Sequence, residues 1–250
     1  MRFNTHRLWL GAVALLCGIL FVASSPSQAG DVPDEILKSI IEADVKRVNE
    51  MVEKYNTTPD KKMPIQIKSS SLMIAAYAQN SITGKDAAAD KKWAGVRDQA
   101  IKVAESFANK KSKEAVAIDL SKGEGDPKPV KIHTMAKMDI DILMAQFKKS
   151  TAEGLNMEAD IKEGANKGAK VDATLIAGRA LVTADFLAEL TPTGGFDAKK
   201  TKKDWDRTTG QMKTAARDIL AAKGKDGKTL TIALKKLDGA CTACHNIFKE

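Results

Sequence analysis

The sequence predicts an all-α protein built from two four-helix-bundle units. The 250-residue chain is rich in Ala, Leu, Lys, Glu and Asp, and its runs of β-branched residues are short, which favours helices throughout. Gly and Pro are concentrated at a few positions, which we interpret as loops between helices. These breaks are Thr58-Pro59, Gly123 to Pro129, Gly164 to Lys170 and Thr191 to Gly195.

The first unit comprises four predicted helices, near residues 32–56, 65–82, 87–110 and 112–122. The first of them ends before Thr58-Pro59 and the fourth ends before the Gly-rich and Pro-rich break, because neither kind of stretch continues a helix.

The second unit comprises predicted helices near 129–150, 171–190, 197–222 and 227–249, each with an apolar stripe at helical spacing. The stripes consist of Ile132, Ala136, Leu143 and Phe147; Leu175, Val182 and Phe186; Trp205, Met212, Ala216 and Ile219; and Leu230, Leu234, Leu237, Cys241, Cys244 and Phe248. Four such faces predict a bundle with these side chains in its interior.

Residues 1–29 are predicted to be a secretory signal peptide. Two arginines precede an apolar run from Leu8 to Ala23, and Ser27-Gln28-Ala29 resembles a cleavage site. The apolar run is short for a permanent membrane span, and an uncleaved anchor is the alternative interpretation. Cleavage after Ala29 predicts a periplasmic protein without a membrane span, in which two of the three cysteines are retained.

The formal charge of +8 predicts a mildly basic surface. Removal of the signal peptide takes away two arginines and no acids, which lowers this charge by two. The lysines are interspersed with acids and few aromatic residues lie among them, so the composition does not favour nucleic-acid binding. A surface of this kind is typical of proteins that attract acidic partner proteins.

The segment Cys241-Thr242-Ala243-Cys244-His245 has the C-x-x-C-H spacing of a c-type haem attachment site. On a helix these cysteines and the histidine occupy positions i, i+3 and i+4 and project from one face. The thiols of Cys241 and Cys244 are predicted to form thioethers with the haem vinyl groups, and His245 to bind the iron as proximal ligand. Small residues around the motif leave room for a flat ring to lie close to the backbone. The chain contains one such motif, so we predict one haem c per chain.

Three other interpretations of this motif have less support. A thioredoxin-like C-x-x-C motif follows a strand, whereas no βαβ pattern precedes Cys241. A structural zinc site usually takes four ligands from two separated pairs. A disulfide between cysteines three residues apart on one helix has poor geometry.

An internal repeat divides the chain. Trp93, Gln99, Ala104 and Lys111 align, at a constant offset, with Trp205, Gln211, Ala216 and Lys223. At the same offset the motif would fall at residues 129–133, which contain no cysteine. We therefore predict a haem-less unit at 30–125 and a haem-binding unit at 126–250, which together form an internal pseudo-dimer; a homodimer is the alternative arrangement.

The second unit resembles cytochrome c′ and its Met-ligated low-spin relatives, the four-helix-bundle class of c-type cytochromes. The resemblance covers about residues 129–250 and rests on Trp205, Gly239 to His245, Phe248 and the segment Leu143-Met144-Ala145. It implies a haem held covalently on the last helix of the bundle.

Two positions depart from the pattern of this family. Lys249 follows Phe248 where the family commonly has arginine, which keeps the charge but loses the guanidinium fork. Ile140 stands where an arginine often precedes the distal residue by four positions. The contacts to the haem propionates therefore differ from the usual ones.

The resemblance makes Met144 the first candidate for the distal iron ligand. Family members with methionine there are six-coordinate and transfer electrons, whereas members with an apolar residue are five-coordinate and bind small gases such as nitric oxide. Met157 and His133 are the alternatives to Met144, while Met135 and Met138 lie towards the edge of the same predicted helix. All of these methionines could instead be core residues.

The sequence thus predicts a periplasmic mono-haem c-type cytochrome that transfers electrons to or from a redox partner protein. The alternative is a five-coordinate haem protein that binds a small gas. No nucleophile-base pattern or second metal cluster is recognisable, so an enzyme is not predicted.

Overall fold

The computed structural model describes residues 31–108, 115–132, 140–148, 155–167, 171–192 and 194–248. This part of the chain is helical without strands, which confirms the predicted all-α class. None of its helices combines the length and the apolar character that a membrane span requires. The predicted signal peptide, His133, Met135 and Met138 lie outside the described residues.

Eight helices have defined bounds in the described residues, and six of them match predicted helices to within a few residues. In chain order they are α1 Asp34–Thr57, α2 Met63–Asn80, α3 Ala87–Ala108, α4 Ile140–Ala145, α5 Met157–Lys167, α6 Ala173–Glu189, α7 Lys202–Ala221 and α8 Gly227–Phe248.

Side-chain caps set several of the helix starts, including those of α3 and α8, where Asp86 and Asp226 accept from backbone N–H groups. The Asp172 side chain accepts a hydrogen bond from the backbone N–H of Leu175 at the start of α6. Thr201 does the same for Asp204 at the start of α7. This cap explains why α7 begins at Lys202 and not near the predicted residue 197.

The predicted helix at 112–122 is wrong for the residues that the structure describes. Residues 115–122 contain no helix and run along the helices α1 and α3 in an extended conformation with one turn. The side-chain amides of Asn49 and Gln99 bind the backbone groups of this segment, and these bonds replace those of a helix. We call residues 115–131 the strap.

The region between the predicted helices 129–150 and 171–190 also differs from the prediction. Helix α4 ends at Ala145, and the backbone N–H of Leu155 donates to the carbonyl of Gln146 at 3.1 Å where the chain turns back. Helix α5 then occupies part of what was predicted as a loop. Its buried residues Met157, Ile161 and Ala165 lie at spacing i, i+4 and i+8 and form one narrow stripe.

The helices surround a continuous hydrophobic core. Helix α2 packs against α1, α3 and α4. Helix α8 packs against α5 and α7, and α7 packs in turn against α6. Helix α6 also contacts α1 and α2, so it joins the N-terminal helices to the C-terminal ones.

A close contact and a buried ion pair fix α6 on α1. A Cβ atom at Gly178 would lie 2.7 Å from Ile40 Cδ1 and 2.9 Å from Ile36 Cγ2, so glycine allows the two helices to approach. Next to it, Arg179 Nη2 lies 2.6 Å from Asp44 Oδ1, and both side chains are buried. The register between α1 and α6 is therefore set by both shape and charge.

Candidate haem-attachment site

The C-x-x-C-H motif lies in the last two turns of α8, as the sequence predicts. Because α8 is helical through Phe248, Cys241, Cys244 and His245 occupy one face at positions i, i+3 and i+4. All three side chains are half-buried, and neither cysteine forms a disulfide. Both thiols and the imidazole are thus accessible from the same side of one helix.

Helix α7 packs along one side of the motif. The Trp205 and Phe248 rings are in edge-to-face contact, with centroids 4.9 Å apart, and Lys236 Nζ lies 2.6 Å from Asp218 Oδ2. Residue numbers rise along α7 as they fall along α8, so the two helices are antiparallel. One turn from Trp205, the Thr208 side chain hydrogen-bonds Cys244.

Trp205 itself is held in the core from the opposite side. Its indole Nε1–H donates to the backbone carbonyl of Leu187 at 2.8 Å, and the residue is only 2% exposed. Since Leu187 lies near the end of α6, this one side chain connects α6, α7 and α8.

Helix α5 lies along the other side of α8. A Cβ atom at Gly164 would be 2.7 Å from Leu234 Cδ1, and the Glu158 carboxylate acts electrostatically on Cys241. Residue numbers thus rise along α5 as they fall along α8, so these two helices are also antiparallel. The N-terminal end of α5 lies beside the motif. Glycine at 164 permits the close approach of the two helices.

The environment keeps both thiols protonated. Burial raises the pKa of Cys241 to about 12, and the negative charge of Asp238 adds to this rise. Burial also raises the pKa of Cys244, and the hydrogen bond with Thr208 opposes that rise.

Met144 and Met157 are candidates for the distal ligand, and Met212 lies on α7, which packs against the motif helix. Met144 lies in α4, a helix that packs on α2, where Gln66 Nε2 donates to the carbonyl of Ala145 at 3.2 Å. Met157 is 1% exposed at the start of α5, the end that lies beside the motif. Met212 is 7% exposed on α7, two turns from Trp205. Helices α5 and α7, which carry Met157 and Met212, thus pack against α8, whereas the main contact of α4, which carries Met144, is with α2.

The two thiols and the imidazole of the motif suit a cofactor that already contains its metal ion. In the part of the chain that the structure describes, no three His, Cys, Asp or Glu side chains converge on a point where they could hold an ion. Two thiols and one imidazole on one helical face instead match a macrocycle attached through two bonds and ligated through one. Gly239 precedes them, and the space that a Cβ atom would enter there is open.

The sequence did not reveal the part that α5 plays in this site. Gly164 and the low apolar content made the region look like a loop, whereas the spacing of Met157, Ile161 and Ala165 was the available signal of a helix. No family model, curated protein or solved structure matches the chain.

Proposed function

We propose that this chain is a mono-haem c-type cytochrome of the periplasm that carries electrons and has no catalytic activity of its own. One observation supports this most strongly: two free thiols and an imidazole share one face of α8 in the C-x-x-C-H order. Cys241 and Cys244 would hold haem c as thioethers and His245 would bind its iron. When bound, the haem would accept one electron from a redox partner and pass it to another.

The proposal includes two four-helix units. Helices α5 to α8 would form the haem unit, with α5 in the place where the sequence predicted a helix at 129–150. Helices α1 to α4 would form the haem-less unit, which extends beyond the predicted limit of residue 125 because α4 packs on α2. Helix α6 would join it to the haem unit. In this arrangement the chain is an internal pseudo-dimer.

The protein's own residues would keep the site rigid, which a carrier needs if little rearrangement is to accompany electron transfer. Trp205 ties α6 to α7 and α8 through its hydrogen bond with Leu187 and its ring contact with Phe248. Gly164 lets α5 approach Leu234 on the opposite flank. Both contacts exclude water from the sides of α8.

A methionine would complete the coordination. Met144 is the ligand that the family resemblance implies, and the burial of Met157 beside the motif makes it a second candidate. A thioether ligand in this position favours low-spin iron and raises the reduction potential.

The test is the visible absorption spectrum of protein matured in a host with haem-attachment machinery. The electron carrier is expected to be low-spin, to show a methionine-to-iron charge-transfer band and not to respond to carbon monoxide when reduced. A high-spin spectrum that shifts with the gas would favour gas binding, and the absence of covalent haem would refute both functions.

Leucine variants identify the distal ligand. Met144→Leu or Met157→Leu should abolish the charge-transfer band, depending on which sulfur binds, because leucine keeps the volume but cannot coordinate iron. Met212→Leu is the matched control and should leave the spectrum unchanged. Loss of the band only in Met212→Leu would refute both assignments.

A further inference from the structure

The strap is bound to the helices through its main chain. The Asn49 side chain on α1 donates from Nδ2 to the Ile118 carbonyl and accepts from the Ile118 N–H, both at 2.9 Å. Gln99 on α3 makes the same pair of bonds with Asp119, at 3.2 and 2.8 Å. Two neighbouring residues of the strap are thus each recognised by one side-chain amide.

The other end of the strap is held in the same way. Gln79 on α2 donates to the Val130 carbonyl at 3.1 Å and accepts from the Val130 N–H at 2.9 Å. Between these ends, the buried Arg97 guanidinium donates to the carbonyls of Asp126 and Lys128, each at 2.8 Å. All of these hydrogen bonds involve backbone groups of the strap, so they do not depend on which side chains the strap carries.

Backbone contact limits the middle of the strap to glycine. A Cβ atom at Gly123 would lie 2.3 Å from the Lys92 carbonyl oxygen, and one at Gly125 would lie 2.6 Å from the backbone of Ala94 and Gly95. Real Cβ atoms do not approach backbone atoms so closely, so any side chain at these two positions would force the strap off α3.

Few side chains of the strap enter the protein. Ile118 is 3% exposed and is part of the core, whereas Val116 is 77% exposed. Ala115, Leu120 and Val130 are half-buried against the same core. The helices therefore require of an occupant a buried apolar anchor at the position of Ile118, two glycines separated by one residue, and an extended main chain.

We propose that this face of α1, α2 and α3 is a binding site for an extended polypeptide, filled here by the chain's own strap, and that the strap of a second copy can occupy it when the chain's own strap is unseated. A second copy offers the same main-chain groups, anchor and glycines, so every contact can form between chains. The proposal does not depend on haem binding.

The attached strap competes strongly with any peptide. Tethering places it at an effective concentration of about millimolar order, so a free peptide cannot displace it at micromolar concentration. Binding of a peptide to this site can be measured only when the chain's own strap cannot occupy it.

The experiment uses the full chain with Gly123→Val and a fluorescent synthetic peptide of residues 115–131. Valine at 123 should expel the attached strap, and the peptide should then bind saturably, at least tenfold more tightly than to the unmodified chain. Gly210→Val is the matched control, because a Cβ atom there meets nothing within 4 Å. This control chain should bind no more peptide than the unmodified one.

Two further samples test whether binding uses the contacts described. A peptide that itself carries Gly123→Val should not bind to the Gly123→Val chain. Adding Asn49→Leu to that chain should weaken binding of the unmodified peptide by about tenfold or more, because two hydrogen bonds are lost. A folded Gly123→Val chain that fails to bind the peptide, or that binds both peptides equally, would overturn the proposal.

Hydrogen exchange of the unmodified protein provides a measurement that does not require a variant to fold. The amides of Ile118, Asp119 and Val130 should exchange by an opening of the strap that costs less free energy than global unfolding. If these amides exchange only when the α2 and α3 amides do, the strap cannot leave its site and the proposal fails.

Discussion

The carboxylate of Asp44 on α1 accepts two hydrogen bonds from the Arg179 guanidinium on α6, at 2.6 and 3.4 Å. Asp44 is 2% exposed and Arg179 is 8% exposed, so both charges are inside the protein. Tyr77 lies beside the pair, and its own burial raises the pKa of the phenol. Such a pair specifies how the N-terminal helices sit on α6, because either charge alone is costly there.

Removal of one charge should therefore be strongly destabilising. Asp44→Ala is expected to lower the free energy of unfolding by about 3–5 kcal/mol, because Arg179 remains buried without a counter-ion. Urea denaturation followed by circular dichroism measures this. The double variant Asp44→Leu, Arg179→Met should recover only part of the loss, because Arg47, whose Nε lies 3.9 Å from Asp44 Oδ1, still loses this carboxylate. A double variant that is as unstable as Asp44→Ala would contradict the explanation.

Asp31 should make stability depend on pH. Burial acts to raise its pKa, but hydrogen bonds from Lys213 and Arg217 outweigh burial and hold the pKa of Asp31 below its usual value. A carboxylate with a lowered folded-state pKa stabilises the protein above its unfolded-state value of about 4, and this contribution is lost as the pH falls through the folded-state pKa.

Asp31→Asn tests this dependence. At pH 7 the variant is expected to be less stable than the unmodified chain by about 0.5–1 kcal/mol, and the difference should decrease as the pH falls below about 4. The measurement is urea denaturation across this pH range. A difference that does not change with pH would show that the ionised form of Asp31 is not the cause.

Gly164→Val should disturb the contact between α5 and α8. The added side chain meets Leu234 Cδ1 at 2.7 Å and Val171 Cγ2 at 3.1 Å, so the expected loss of stability is about 1–3 kcal/mol from overpacking. Gly210→Val on the exposed side of α7 is the control for the change in helix propensity. Equal effects of the two substitutions would mean that no close contact exists at Gly164.

Trp205→Phe should cost more than Trp93→Phe. The first substitution removes the hydrogen bond to the Leu187 carbonyl and leaves a cavity, for an expected loss of about 2–3 kcal/mol. Trp93 is partly exposed, and its replacement should cost less than about 1 kcal/mol. Thermal unfolding of both variants makes the comparison, and similar losses would refute the role given to Trp205.

Local patterns predicted the long helices well. The stripe that ends in Cys241, Cys244 and Phe248 correctly marked α8, because its apolar residues repeat at helical spacing over five turns. The motif was recognisable for the same reason, since all of its side chains come from consecutive turns of one helix.

The strap and α5 show what such patterns cannot provide. Residues 112–122 were predicted as a helix, yet Asn49 and Gln99, far away in sequence, hold the backbone of the strap extended at Ile118 and Asp119. Helix α5 has too few apolar residues to be recognised alone, and its packing against Leu234 stabilises it. In both cases the deciding contacts come from other parts of the chain.

The way in which the strap is held has a consequence for how its sequence can vary. Asn49, Gln79, Gln99 and Arg97 bind only backbone groups of the strap. A saturation library of residues 115–131 should therefore accept many replacements at Asp119, Asp126 and Lys128. It should tolerate almost none at Gly123 and Gly125, where even a methyl group collides with α3. Homologous chains are therefore expected to differ over most of this segment and to share the glycines at positions 123 and 125.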